Sequence, residues 1–507
     1  MGNNKRDIAL PIIISFVLLV GLFIAQFLIP SIQLFGNNKQ STFQQVFELV
    51  KNKYVDPVNL DSLESSAVDE LLKELDPHST YLKPADLAEA TELLKGHFEG
   101  IGVEFSLFND TATITYVIPE GPSEKAGIRP GDQLIKANGI LMVRKNNSTD
   151  TIRSIIKGER NSIVNLTILR DQQTLQINVK RDRIPLPAIE SSYLLDSKTG
   201  YIRLARFSET SYEEFMKAVE TLKSQGAQQL MLDLRGNGGG LLSEAIDIAD
   251  EFLDQDKLIV YTEGNKIARQ EYRARRPGQF EKGKVFLLID EFSASASEVL
   301  AGAIQDWCRG KIVGQTSFGK GLVQEEYSLS NGSALRLTVA RYYTPLGRCI
   351  QLPYQNNSKD TTKKLRYFLN SCKDTLWEEN GITPNIKIAT TNDTALISSA
   401  NLMHALTRIN QFSFRYYQDN ISFFNKKDTP LSLLRDTELS HAIWANWIFA
   451  EKSSKNTSTP YSFIEKKFLT ERILATLARY KWRNNGYYQV LNANDSTVNK
   501  ALKLINQ

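Results

Sequence analysis

The chain has 507 residues, 42% of them hydrophobic and 23% charged, the make-up of a globular protein with enough apolar residues for a sizeable core. Its 61 Lys+Arg nearly balance 57 Asp+Glu, for a formal net charge of +4, so no strong overall field draws it to nucleic acid, and no nucleic-acid motif occurs. Three cysteines, Cys308, Cys349 and Cys372, are too few and too odd in number for a disulfide framework, although Cys349 and Cys372 could pair outside the cytoplasm. No HExxH and no cysteine spacing points to a metal.

In chain order, Lys5 and Arg6 precede residues 8–30, which carry no charge. At ~1.5 Å per residue such a stretch can cross a hydrocarbon core of ~30 Å. The positive-inside rule then leaves residues 1–7 in the cytoplasm and exports the chain after Ser31. The run is long and no A-x-A site comes after it, so an uncleaved transmembrane anchor is expected. Residues 41–95 read as helical, with apolar stripes through Phe43, Val46, Phe47 and Val50 and through Leu63, Ala67, Leu71, Leu72 and Leu75.

Residues 97–181 change character. Short β-type runs at 101–107, 112–118, 133–137 and 163–169 are separated by Gly, Pro and Asn-Gly turns, the pattern of a small barrel or sandwich. Within them AGIRPGDQLIKANG resembles a PDZ domain, and Ile101, Gly102 and Val103 fall where such domains place their carboxylate-binding loop. Backbone N–H groups in such a loop can capture a terminal carboxylate while a strand edge pairs with an extended peptide. The expected partners are proteins with exposed C-terminal tails. RIPLPA, residues 183–188, reads as a proline-stiffened linker.

Strand patterns at 200–204, 229–235 and 257–262 then alternate with helical patterns at 213–224 and 241–252, which argues for an α/β layered core with crossover helices over 183–390. Asp233-Leu-Arg235 ends one strand, and Gly236-Asn-Gly-Gly-Gly240 allows close approach of backbone to a ligand, or simply a tight turn. A buried strand at 285–289 leads through a small-residue turn holding Ser293, Ser295 and Ser297 into a helix with Val299, Leu300, Ala303, Ile304 and Trp307 on its apolar face. A serine at a helix N-terminus lies beside free N–H groups and the positive end of the dipole, both of which favour a developing oxyanion. A strand at 311–315 then enters a glycine loop carrying Lys320. None of the four histidines, His78, His97, His404 and His441, falls between residues 98 and 403. Lysine can replace histidine as base, but with an ordinary pKa near ~10.4 it must be desolvated to be neutral. GQTSFGK, residues 314–320, nearly spells a phosphate-binding loop, yet Gly321 stands where Ser or Thr should hold magnesium, and β structure comes next instead of a helix.

SASASE and TSFGKGLVQ, with DLRGNGGGL upstream and TPLGR downstream, resemble the carboxyl-terminal processing, or tail-specific, proteases. NKYVDP and LDPHSTYL resemble the helical region that precedes the peptide-binding domain in that family, and the likeness extends over about residues 40–390. It implies a core related to the ClpP and crotonase group, Ser295 as nucleophile, Lys320 as base and Gln324 as the residue orienting that lysine. It also implies an oxyanion hole from the amides of Gly239, with Gly240 close behind, and Ala296. His78 reads as a turn residue holding backbone. No cofactor, metal or nucleotide is called for.

Residues 391–507 resemble nothing in that family. They read as a net basic, helical C-terminal domain whose aromatics, among them Trp444, Trp447 and Trp482, suit a packed core and could also serve a homo-oligomer or an adaptor. The combined expectation is a single-pass protein of a bacterial inner membrane whose catalytic part faces the periplasm or cell exterior. It would cut exported or membrane-associated proteins near their C-termini. The rival is a catalytically silent PDZ scaffold that binds peptide without turnover.

Overall fold

The computed structural model describes residues 41–142, 148–353, 366–378, 380–389, 400–453 and 461–507. They divide into two units, residues up to 71 and residues from 72 on. In the first, Ser41 caps the helix Thr42–Lys53: its hydroxyl accepts from the Gln44 N–H at 3.2 Å, and the Gln44 side chain accepts the Ser41 N–H at 3.0 Å, a reciprocal capping box. This helix buries none of its residues, and Phe43 and Val46 stay more than half exposed.

In the second unit, strand His97–Gly100 pairs antiparallel with Asp182–Pro185. The segment read as a linker from residue 183 therefore begins as a strand that clips together the two ends of a β-rich module. A proline is tolerated there because a two-stranded ribbon consists only of edges. Between the clip, strands Val103–Phe108, Thr111–Val117, Gln133–Ala137, Ile163–Arg170 and Gln173–Lys180 lie side by side in that order. Alternate residues Val164, Leu166 and Ile168 point inward, at most 1% exposed. They share a core with Ile152 and Ile156 of helix Thr149–Ile156.

The larger core is a six-stranded sheet ordered Ile189–Leu194, Thr199–Leu204, Gln229–Asp233, Val285–Ile289, Lys311–Gly314 and Ile386–Lys387. The first pair is antiparallel and the rest are parallel. A parallel sheet needs cover on both faces, and the period of two supplies two apolar sets. Leu230, Leu232, Val285, Leu287 and Ile289 face helices Ser211–Ser224, Leu242–Asp250 and Ala296–Asp306. Tyr201, Met231, Phe286, Leu288 and Val313 face Val498, Ala501 and Ile505 of helix Ser496–Ile505. Burying each such side chain is worth about 1.5–3 kcal/mol. All residues of Ala296–Asp306 are buried, its apolar side chains in the core and its polar ones, Ser297, Glu298, Gln305 and Asp306, each hydrogen-bonded. A second sheet joins Thr80–Leu82, Ala334–Tyr343, Leu258–Glu263, Gln270–Arg273 and Leu322–Ser328. After Lys311–Gly314 the chain thus enters a strand at Leu322, with no helix to cradle a phosphate.

Helices Ala400–Asp419, Ile421–Asn425, Leu431–Arg435, Thr437–Ser453 and Phe463–Asn492 close around Phe424, Leu433, Trp447 and Leu469, each at most 1% exposed. Phe463–Asn492 bends at Arg483, whose φ of 56° and ψ of −153° are not helical. Around the bend Arg479 and Arg483 reach Glu104 of the β-rich module at 2.9 and 2.5 Å, and Asn485 accepts from the Ser191 hydroxyl and the Ser192 N–H at 2.9 Å.

Two expectations are corrected here. Cys308 is bonded to Cys372, and Cys349 is free; the pairing of Cys349 with Cys372 does not occur. The expected localisation as a single-pass inner-membrane protein is also overturned, because among the described residues no helix is long and apolar enough to cross a membrane. The longest, Phe463–Asn492, has 30 residues but is studded with charge, from Glu465, Lys466 and Lys467 to Arg479, Lys481 and Arg483. Residues 1–7 and 8–30, on which the cytoplasmic N-terminus and the anchor rested, lie outside the described residues.

Candidate active site

The loops that follow three neighbouring parallel strands meet at one end of the sheet. After Gln229–Asp233, Asp233 is fully buried and its carboxylate is gripped by Arg235 at 2.7 and 2.9 Å, by the Tyr201 hydroxyl at 2.7 Å and by Arg203 at 3.3 Å. Burial alone would raise its pKa, but Arg235, Arg203 and Tyr201 bring it down to about 2, so the ion cluster stands as a fixed base for the glycine loop. Asn237 then staples that loop to the serine turn. Its carbonyl accepts from the Ala294 N–H at 3.0 Å and the Ser297 hydroxyl at 2.9 Å, and its side-chain amide donates to Leu204 O at 2.9 Å.

Ser293 and Ser295 lie in the next turn and Ser297 in the first turn of the helix after it, and their surroundings separate them. Ser293 and Ser297 are fully buried, and their hydroxyls donate to Leu234 O and Asn237 O, each at 2.9 Å. Ser295 is partly exposed and caps Ala296–Asp306 with φ 57° and ψ −114°. That conformation costs a non-glycine residue about 1–3 kcal/mol and persists only where surrounding structure enforces it. Gly239 lies against it: with φ +101°, a Cβ there would sit 2.9 Å from Ser295 Cβ, 3.0 Å from Ala296 N and 2.8 Å from Ala294 O. The structure therefore brings Gly239, Ser295 and Ala296 together. The amide of Ala296 opens the helix, among the N–H groups that a helix leaves without internal partners. That of Gly239 donates to Asn237 Oδ1 at 2.9 Å.

Lys320 comes to the same place from the loop after Lys311–Gly314. The carboxylate of Glu298, fully buried, accepts from the N–H groups of Ser295 at 2.8 Å, Lys320 at 2.8 Å and Gly319 at 2.7 Å, and from the Ser317 hydroxyl at 2.5 Å. The Tyr342 hydroxyl adds a second tie, lying against Ser295 O at 3.0 Å and against Lys320 O. Burial pushes the Glu298 carboxyl above the usual range in spite of its four donors. Lys320 itself is half-buried. Burial, aided by the Arg336 guanidinium, holds its ammonium below the usual lysine range against the opposing pull of Asp76 and Glu298. Its Nζ donates to Gln324 Oε1 at 2.9 Å, and the Gln324 amide donates to His78 O.

Sequence reasoning singled out Ser295, Lys320, Gln324, Gly239 and Ala296, and all of them lie in this cluster. It missed Glu298, Tyr342 and Asn237. Glu298 stands three residues after Ser295, the spacing of a capping box, which was a signal; nothing local marked the others. His78, read as a turn residue, has its ring 6.4 Å from that of Phe318, and burial together with the charge on Lys320 holds it below the usual imidazole range.

Ile101, Gly102 and Val103 form part of a separate groove of about 400 Å³, whose other walls include Phe105, Arg153 of helix Thr149–Ile156 and Leu93 of helix Pro84–Lys95. Gly102 has φ +74°, and the carbonyls of Ile101 and Gly102 accept from Ser123 and Ile118, so the loop is held by its own module. No group of His, Cys, Asp and Glu side chains suited to a metal occurs among the described residues.

Comparison with known proteins gives the family. The profile of peptidase family S41 matches residues 198–358, and that of the PDZ domain matches residues 100–180. A carboxy-terminal-processing protease of Bartonella bacilliformis is 35% identical over 349 residues, covering 65% of this chain and 78% of the relative. The carboxy-terminal processing protease CtpA of Bacillus subtilis is 32% identical over 317 residues, covering 62% of this chain and 67% of the relative. A mixed α/β core with an S41 profile, a PDZ module before it and relatives of this kind define a serine peptidase. The chain belongs to the carboxy-terminal processing proteases of family S41.

Proposed function

We propose that the enzyme cleaves its substrates through an acyl-enzyme on Ser295, with Lys320 as base. The observation that carries this reading is the pairing, through Glu298, of a strained and partly exposed serine at a helix N-terminus with a lysine whose burial favours its neutral form. Neutral Lys320, held by Gln324, takes the Ser295 proton as the hydroxyl oxygen attacks the peptide carbonyl. The same lysine hands the proton to the departing amine and then activates water for release of the product. The oxyanion takes the amides of Ala296 and Gly239. Because the Gly239 N–H is shared with Asn237 Oδ1, that side chain must yield it when substrate arrives.

The PDZ groove around Ile101, Gly102 and Val103 would select substrates by their C-terminal ends. The domain reading is a helical lead-in over 41–95, the PDZ module over 97–181, the peptidase core over 183–390 and a helical domain over 391–507. Parallel strands with crossover helices support kinship of the core with the ClpP and crotonase group. The test compares the full-length enzyme with Ser295→Ala and Lys320→Ala on an unfolded protein that ends in an apolar C-terminus. Cleavage by the parent and none by either variant is expected. Turnover surviving in Lys320→Ala would remove the base assignment, and tail binding without cleavage by any of the three would favour the scaffold.

A further inference from the structure

Gln324 can present either end of its amide to Lys320, and the choice matters. With Oε1 toward Nζ, the side chain accepts a lysine N–H and leaves the lone pair of the neutral amine open for the serine proton. With the amide reversed, its NH₂ would donate to that lone pair and block it. The orientation is fixed from behind: Gln324 Nε2 donates to the carbonyl of His78, which can only accept.

That carbonyl is held out by a turn built on Asp76. Asp76, 7% exposed, accepts through Oδ1 from the N–H groups of His78 and Ser79, both at 2.8 Å, and through Oδ2 from the Ser79 hydroxyl at 2.7 Å. The turn is hooked onto the strand opposite Gln324. Thr338, the register partner of Gln324, donates its N–H to Ser79 Oγ at 3.1 Å and its hydroxyl to Asp76 Oδ1 at 3.2 Å. Immediately beyond, Thr80–Leu82 pairs with Ala334–Tyr343, Thr80 facing Arg336. Between Val323, which faces Ala340, and Gln324, which faces Thr338, the register shifts by one, leaving Val339 as the extra residue of a β-bulge on the opposite strand.

We infer that Asp76 is a positioning residue of the peptidase: by holding the 76–79 turn it sets the His78 carbonyl, which locks Gln324 as an acceptor for Lys320 and keeps the lysine lone pair directed to Ser295. This rests on the Ser-Lys reading above. Every donor around Asp76 calls for an acceptor, so the ionised carboxylate fits. Burial would raise its pKa, but the bonds from Ser79, His78 and Thr338 outweigh it and hold the group below the usual carboxylate range.

The experiment is a double-mutant cycle on the full-length enzyme, with kcat and KM measured for Asp76→Ala, Gln324→Ala and the double variant. Misplacing a catalytic group by about 1 Å costs on the order of 10²-fold, so each single change should lower kcat by about that factor with KM little altered. The double variant should lie within about threefold of Gln324→Ala alone, because both changes cut one chain of contacts. Asp76→Asn, which keeps one acceptor oxygen for the turn, should recover most of the loss. Losses that multiply in the double variant, or a change confined to KM, would overturn the inference. If Asp76→Ala does not fold, Ser79→Ala takes its place in the same cycle with the same criterion. Turnover surviving in Lys320→Ala would instead show that the Ser-Lys reading had failed.

Discussion

Glu298 offers the sharpest quantitative test of the site. Replacing it by glutamine keeps the volume but leaves one carbonyl oxygen for four donors. If the new NH₂ stood at the Oε2 position it would confront the N–H groups of Ser295 and Lys320; at the Oε1 position it meets Gly319 N–H and the Ser317 hydroxyl. The second orientation is cheaper, because a hydroxyl can turn and accept while a backbone N–H cannot. One backbone donor is then orphaned, at a cost of about 1–3 kcal/mol. Glu298→Gln should therefore lower the free energy of unfolding in urea by that amount while Ser295 and Lys320 stay tied, so turnover persists at a reduced level. Glu298→Ala orphans all four donors and unties the two loops. It should lose more stability than the glutamine variant and abolish cleavage. Equal stability for the two variants, or full activity in Glu298→Ala, would refute the assignment of this carboxylate as the link between the loops.

Lys320 gives a pH prediction. Its folded-state pKa lies below the ordinary 10.5, so the folded protein binds this proton less tightly than the unfolded chain. The resulting penalty is complete below the folded pKa and disappears as pH rises past the unfolded value. Lys320→Met should raise the Tm near neutral pH, lose that advantage above about pH 10.5 and show no turnover; a Tm gain that is flat with pH would contradict this. Arg348, 1% exposed, bonds Asp306 at 2.6 Å and Gln305 at 2.9 Å. Arg348→Met should cost about 3–5 kcal/mol in urea unfolding by stranding Asp306. The Cys308–Cys372 bond spans 64 residues, a loop for which chain entropy gives about 4 kcal/mol. Reductant should lower the Tm of the parent and leave Cys308→Ser/Cys372→Ser unchanged.

Much of the site was legible because its chemistry is carried by local words. A small-residue turn between a buried strand and a buried helix marks a serine at a helix N-terminus, and a glycine run after Asp233 marks a close approach. The residue pattern alone left Ser293, Ser295 and Ser297 open and the family resemblance chose Ser295; in the structure burial separates them, Ser293 and Ser297 being fully buried and Ser295 partly exposed. Contacts between segments far apart in sequence were not legible. His78 and Gln324 are joined by a strand pairing between 80–82 and 334–336 that no local pattern encodes. The same limit applies to the disulfide, where the partner of Cys372 depends on where Ala296–Asp306 ends. Residues 183–188 read as a linker because Pro185 and Pro187 are a local signal, whereas the strand that residues 182–185 pair with lies at the other end of the module.

The helix Ser496–Ile505 has a consequence for how the protein comes into being. The sheet face made by Tyr201, Met231, Phe286, Leu288 and Val313 is complete once the strand Ile386–Lys387 has been synthesised, but Val498, Ala501 and Ile505 cover it. At translation rates of about 5–20 residues per second, the nascent chain carries this face uncovered for on the order of ten seconds. The loops that carry Gly239, Ser295 and Lys320 follow strands of that same sheet. A chain released before Ser496 would leave this apolar face open to water, the kind of surface that invites aggregation.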